Sequence, residues 1–155
     1  MAIFHFEVPD QKKLYLCSME TTALLKEFLS MFISPLICDH FVIKEIKQGV
    51  DRIDLRMEEL PDLVPTDLLG KEVVLDGFCN ELELQSMSAH DRAVFLHIFR
   101  RRWKEKGTDK HYSNTYDLHP PGVKATHEFA AFLKEEFRCT PEQYYAYIRS
   151  LHNLD

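Results

Sequence analysis

The stretch RAVFLHIFRRRWKEKGTDK, Arg92 to Lys110, decides how this chain is read. Val94, Leu96 and Ile98 recur at period two, and so do Phe95, His97 and Phe99. Successive side chains of a strand point to opposite faces, so a strand apolar on both faces is covered on both, as a central strand is. The spacing predicts one strand over about 93–103. It runs into Arg100, Arg101, Arg102 and Trp103, and the whole stretch holds seven basic residues against two acidic ones. That is a local +5 on a chain of net charge −6, which leaves −11 on the rest.

Arginine offers planar, multi-donor recognition of phosphate, and tryptophan can stack on a base. The candidate nucleic-acid contacts are therefore Arg92, Arg100, Arg101, Arg102, Trp103, Lys104, Lys106 and Lys110. Along an extended strand Arg100 and Arg102 point one way and Arg101 and Trp103 the other. A single arginine patch requires the strand to end or twist near Arg101. The competing reading is a solvated hairpin end that blocks edge pairing, with Trp103 in the core beside Phe99.

Outward from this stretch the chain reads as an α+β domain. Ile3 to Val8 reads as an edge strand and Pro9-Asp10 as a turn, in a loosely attached segment over 1–17. Leu25, Phe28, Leu29 and Phe32 make one helical stripe within a helix from Ser18 to Phe32, with Ser18 as cap and Glu20 in the first turn. Ser34-Pro35 starts a second, short helix to about His40. Phe41 to Lys47 and Arg52 to Glu58 form a hairpin about Gly49. In the second strand Ile53, Leu55 and Met57 alternate with Arg52, Asp54, Arg56 and Glu58. One helical turn falls within 62–70.

Strands follow over Glu72 to Asp76 and Leu82 to Gln85, with Gly77 as a bend. After the central strand, His111 to Leu118 returns, and Pro120-Pro121-Gly122 ends the sheet. Thr126 caps a helix with the stripe Phe129, Phe132, Leu133 and Phe137. Thr140-Pro141-Glu142-Gln143 is a capping box opening a last helix with the stripe Tyr144, Tyr147, Ile148 and Leu151. The connections are too short for parallel crossovers, so the sheet is expected to be an antiparallel meander. The expected architecture is one domain: a helix plus antiparallel sheet over 18–122 and a helical pair over 123–155.

Catalytic motifs are missing from the sequence. The eight histidines are dispersed, and the four cysteines (17, 38, 79 and 139) show no C-x-x-C spacing. They are expected to be reduced, mostly buried thiols. His97, inside the central strand, is read as a satisfied core histidine rather than a metal ligand. The carboxylate pairs Asp51/Asp54, Glu58/Glu59 and Glu135/Glu136 are read as solvated. The expectation is a non-enzyme with no cofactor and no metal. No apolar run reaches the about 18 residues of a membrane helix, and no signal peptide precedes the first strand, so a cytoplasmic protein with no membrane partner is expected. The last two helices are also compatible with a helix-turn-helix whose second helix presents Gln143, Tyr144, Tyr145 and Arg149, though with little positive charge.

The run LELQSMSAHDRAVFLHIFRRRW, then SNTYDL and ATHEFAAFLKE, together with LLKEFLSMFISPLICDHFVIKEI and the Gly77-Phe78 step, resembles the N-terminal-region proteins of a bacterial insertion-sequence transposase family. The resemblance covers roughly Leu24 to Phe137. In that family a short upstream protein precedes a separate DDE catalytic protein. The family looks like a zinc-free relative of the zinc-binding N-terminal module of single-chain transposases, so no metal is carried over. Where the family has Asp-Phe-Pro before the central strand, this chain has Ser86-Met87-Ser88.

The resemblance implies a non-catalytic accessory protein that recognises element-end DNA through the basic hairpin, with a DDE transposase subunit as a further partner. The alternative is a protein-interaction module that docks on that transposase, or on a second copy of itself as a homodimer, through Tyr144, Tyr145 and Tyr147.

Overall fold

A computed structural model describes residues 22–155. The chain divides into two compact units, Met1–Phe32 and Ile33–Asp155. The expectations for residues 1–17 and for the Ser18 cap lie outside the described residues. In the first unit the chain is helical over 22–29 (α1), where the rings of Phe28 and Phe32, one helical turn apart in spacing, meet edge to face at 5.0 Å.

The second unit is α+β. Its elements are α2 (Pro35–His40), β1 (Phe41–Gln48), β2 (Arg52–Glu59), a 3₁₀ turn (Thr66–Leu68), β3 (Val73–Phe78), β4 (Leu82–Ala89), β5 (Arg92–Phe99), β6 (Arg101–Glu105), β7 (His111–Tyr112), α3 (His127–Phe132) and α4 (Pro141–Leu151). They build a four-stranded sheet in the order β1-β2-β5-β4 and a three-stranded sheet in the order β3-β6-β7.

β5 occupies an interior position of the larger sheet, as its two apolar faces require. Val94, Leu96 and Ile98 are buried on one face and Phe95 on the other. Two pairings join strands that are not consecutive in the chain and so depart from the expected meander, β2–β5 and β3–β6. β2 and β5 run parallel, from Arg52 beside Ala93 to Glu58 beside Phe99. The link between them is not a single crossover element. Residues 60–91 contain β3 and β4, which makes the return long enough for a parallel pairing. β1–β2 and β4–β5 are antiparallel.

The single strand expected over 93–103 is two strands. β5 ends at Phe99 in one sheet and β6 begins at Arg101 in the other, so Arg100 is the corner between them. Beyond β5 the backbone N–H of Arg101 donates to the Glu59 carboxylate instead of a neighbouring strand. The return strand is also shorter than expected. It pairs only at His111–Tyr112, because Asn114 and Tyr116 turn inward to the same carboxylate.

The C-terminal helices pack on the Phe95 face of β5. Phe95, Phe129, Leu133, Tyr144 and Ile148 form one buried cluster with Ala93 and Ala125. Thr126 caps α3 by accepting from the Phe129 N–H at 3.3 Å. Thr140 and Gln143 close the expected capping box at 3.2 and 2.8 Å. Ser34 stands at the N-cap of α2, but its hydroxyl accepts no capping bond; Pro35 at the first position starts that helix instead. After α3 the chain widens into a π turn over Leu133–Phe137 and leaves it through Arg138 at φ 51°. This displaces the end of the expected stripe: Leu133 is buried and Phe137 is 47% exposed.

Candidate functional site

The eight sequence-predicted contact residues do not form one patch. Arg100 Nη1 donates to the Asn114 carbonyl at 2.9 Å. Arg101 Nε donates to the Glu59 carbonyl at 2.7 Å, and its guanidinium lies 5.0 Å from the Phe78 ring centroid. Arg92 donates to the side-chain oxygen of Gln48 at 3.0 Å, at the far end of β5. Trp103 is 4% exposed, so its ring packs in the core and presents no free face for stacking. These four residues serve the fold locally.

The residue that organises this corner is Glu59, which is fully buried. Its carboxylate accepts from the Arg101 N–H at 2.6 Å, from the Asn114 amide at 2.8 Å and from the Tyr116 hydroxyl. A buried carboxylate is tolerated when its oxygens are satisfied by donors in this way. Burial, then the Glu59 hydrogen bond and charge, push the Tyr116 hydroxyl well above the ordinary tyrosine range. Sequence reading placed Glu59 among solvated pairs. The period-two pattern of β2 puts it on the buried face with Leu55 and Met57, and that was the available signal.

Arg102 and Lys104 are different. Lys104 is opposite Val74 of β3 and His111 of β7, and alternation puts Arg102 on the same face, away from Trp103. Arg102 Nε donates to the Asp76 carbonyl at 2.8 Å and lies 3.5 Å from its carboxylate. His111 pairs with the same carboxylate. The His111 hydrogen bond, with the Lys104 and Arg102 charges, holds the Asp76 carboxyl below its usual range. This face therefore carries Arg102, Lys104 and His111 around one acid, and Val74 is 41% exposed within it. Lys106, paired with the exposed Glu72 at 3.2 Å, and Lys110, 5.0 Å from the Tyr112 ring centroid, flank it.

A second polar constellation lies on the same face of the larger sheet as Phe95, around His97 two residues further along β5. Glu45, Lys47, Asp54, Arg56, Glu81, His97 and Phe99 line a depression of about 290 Å³. His97 Nε2 lies 2.6 Å from Asp54 and its Nδ1 contacts Glu81. Asp54 is clamped by Arg52, whose guanidinium sits 3.8 Å over the Phe95 ring centroid. Burial acts to lower the His97 pKa, but the hydrogen bonds and charges of Asp54 and Glu81 outweigh it, and the net direction is up.

The residues of the helix-turn-helix reading are occupied. Gln143 caps its own helix, and the buried Tyr144 bonds to Ser88 at 2.8 Å. Tyr145 donates to Asp51 at 2.6 Å, and Arg149 donates to the Leu154 carbonyl at 2.8 Å. The interaction-module reading likewise loses Tyr144 and Tyr145 and keeps Tyr147, which is 51% exposed. Among the described residues, no helix is long and apolar enough to cross a membrane. Comparison of the chain with protein-family models, curated proteins and solved structures finds no match.

Proposed function

We propose that this protein is a non-catalytic, DNA-contacting accessory of a separate DDE transposase, and that its contact surface is the outward face of the three-stranded sheet. The observation that carries this reading is the grouping of Arg102, Lys104 and His111 on one face around the Asp76 carboxylate. Lys106 and Lys110 extend the positive potential toward the hairpin turn. The surface is a short β-ribbon, an element that other proteins lay into a DNA groove. Arg100, Arg101 and Trp103 support it from within, Arg92 lies at the far end of β5 in the other sheet, and none of the four takes part in contact. Phosphate attraction is set by charges within about 8–10 Å at physiological salt, so the net acidity of the chain does not oppose it.

The test is fluorescence anisotropy with a duplex of the element's terminal repeat over a salt series. The chain binds with steep salt dependence, and R102E/K104E lowers the salt slope by about 2 and weakens binding to all sequences alike. Absent or salt-insensitive binding sinks the reading.

One observation favours docking on the catalytic protein as a second reading. Phe137, Tyr147 and Leu151 are each about half exposed at the C-terminal helices, and an exposed aromatic such as Tyr147 is the kind of anchor that protein interfaces bury. Co-purification with the catalytic protein, without a shift of terminal-repeat DNA, selects this reading.

A further inference from the structure

We infer that His97, Glu81 and Glu83 form a binding site for one divalent first-row metal ion, zinc by preference, with Asp54 orienting the histidine. This departs from the expectation of no metal. The donors come from the interior of β5, from β4 and from the residue just before it, and only strand pairing brings them together.

The geometry begins with register. Glu83 is directly opposite His97 across the β4–β5 pair, and Glu81 precedes it by two residues on the same face. One donor atom from each of the three lies within 4.8 Å of the other two. His97 Nδ1 contacts Glu81 and is 3.8 Å from Glu83 Oε2. A tetrahedral zinc site with bonds near 2.0–2.1 Å spaces its ligand atoms roughly 3.3 Å apart. Glu83 closes slightly and Glu81 withdraws slightly to reach it. Both glutamates are nearly half exposed, so a rotamer change suffices.

The histidine is what separates this group from an acidic patch. Its Nε2 is committed to Asp54 at 2.6 Å, and Asp54 is itself fixed by Arg52. A ligating histidine characteristically donates its second ring N–H to a carboxylate, which sets the tautomer and aims the other nitrogen. Here that nitrogen, Nδ1, is aimed at Glu81 and Glu83. With Nε2 protonated, its lone pair faces carboxylate oxygens, an arrangement that a cation between them relieves. A proton relieves it for Glu81 alone and leaves Glu83 at 3.8 Å; a metal ion engages all three donors.

Charge points the same way. With His97 neutral, Asp54, Glu81 and Glu83 face Arg52 as the nearby cation, a local −2 that a divalent ion cancels. Arg56 and Lys47, which also line the depression, are paired with Glu58 at 2.9 Å and Glu45 at 3.5 Å. One nitrogen and two carboxylates suit zinc, cobalt and manganese, and leave the fourth position to water. Loading balances simply: when His97 is imidazolium the ion replaces the Nδ1 proton, which leaves to solvent, and when it is neutral no proton is released.

The site lies on the four-stranded sheet and does not rest on the DNA reading. The test titrates the full chain, freed of metal by chelator, with Co²⁺ followed by its visible absorption, and with Zn²⁺ as competitor by calorimetry. One ion binds per chain, with an N/O-type cobalt band and without thiolate charge transfer. H97A and E81Q/E83Q each weaken binding at least tenfold; the second variant keeps the sheet's histidine and guards against a folding artefact. D54N leaves the stoichiometry at one but shifts the cobalt band and weakens binding about 10- to 100-fold. Binding that survives both H97A and E81Q/E83Q, a thiolate band, or no uptake at millimolar metal overturns the inference.

Discussion

The backbone N–H of Arg101 donates to the carboxylate of Glu59, 42 residues earlier, at 2.6 Å. That bond ends the larger sheet and starts the smaller one. A strand continuing past Phe99 would offer its N–H to a neighbouring backbone; here a side chain takes it, and the chain turns into a second ladder. The motifs quoted for the family resemblance, the arginine run and Ser113 to Leu118, meet at this carboxylate through Arg101, Asn114 and Tyr116. The arginines split between fold and surface for that reason.

Removing the carboxylate strands three donors. Glu59→Ala leaves the Arg101 N–H, the Asn114 amide and the Tyr116 hydroxyl without their acceptor, at about 1–3 kcal/mol for each buried group left unsatisfied. The expected loss is about 3 kcal/mol or more in urea denaturation at pH 7. A loss under 1 kcal/mol would mean that the corner holds without Glu59.

Trp103 reports on the same corner. A ring 4% exposed emits at short wavelength and resists iodide quenching. Terminal-repeat DNA is expected to leave that emission unchanged, because the ring has no face to stack with. Trp103→Ala is expected to destabilise the chain by about 3–5 kcal/mol, measured by thermal or chemical unfolding.

Asp51 and Tyr145 tie β2's start to α4. The Tyr145 hydrogen bond, foremost among the causes, holds the Asp51 carboxyl below its usual value. A depressed carboxyl contributes stability above its unfolded pKa, about 3.9, and loses it as pH falls through the folded value. The acid arm of the stability profile, below about pH 4, should therefore be less steep in Tyr145→Phe, with little change near pH 7 in slope. Parallel acid titrations followed by circular dichroism check this; identical slopes refute it.

The capping box at α4 should behave as a local element. Thr140→Ala removes the acceptor for the Gln143 N–H and is expected to cost about 1 kcal/mol. Thr140→Ser should retain most of it. Hydrogen exchange is expected to rise first in the opening turn of α4.

Local chemistry made much of this fold readable. Alternation in Arg52 to Glu58 announced β2, and the two-faced run from Ala93 announced an interior strand. Thr126 and Thr140 marked helix starts that the structure keeps. The site was less readable. Arg102 and Lys104 were within the expected contact set, but nothing local separated them from Arg100 and Arg101. His97, Glu81 and Glu83 could not be grouped without the β4–β5 register.

By itself the sequence determined roughly where most strands and helices lie, which faces are apolar, and that positive charge gathers after β5. Those properties depend on neighbours within a few residues, so periodicity and capping chemistry express them directly. Tertiary structure alone decided that β2 and β5 run parallel, that the strand breaks at Arg100, and which basic side chains face solvent. The physical reason is the reach of the partners. Glu59 satisfies donors 42 to 57 residues away, and a charge's role follows from what neutralises it once water is excluded.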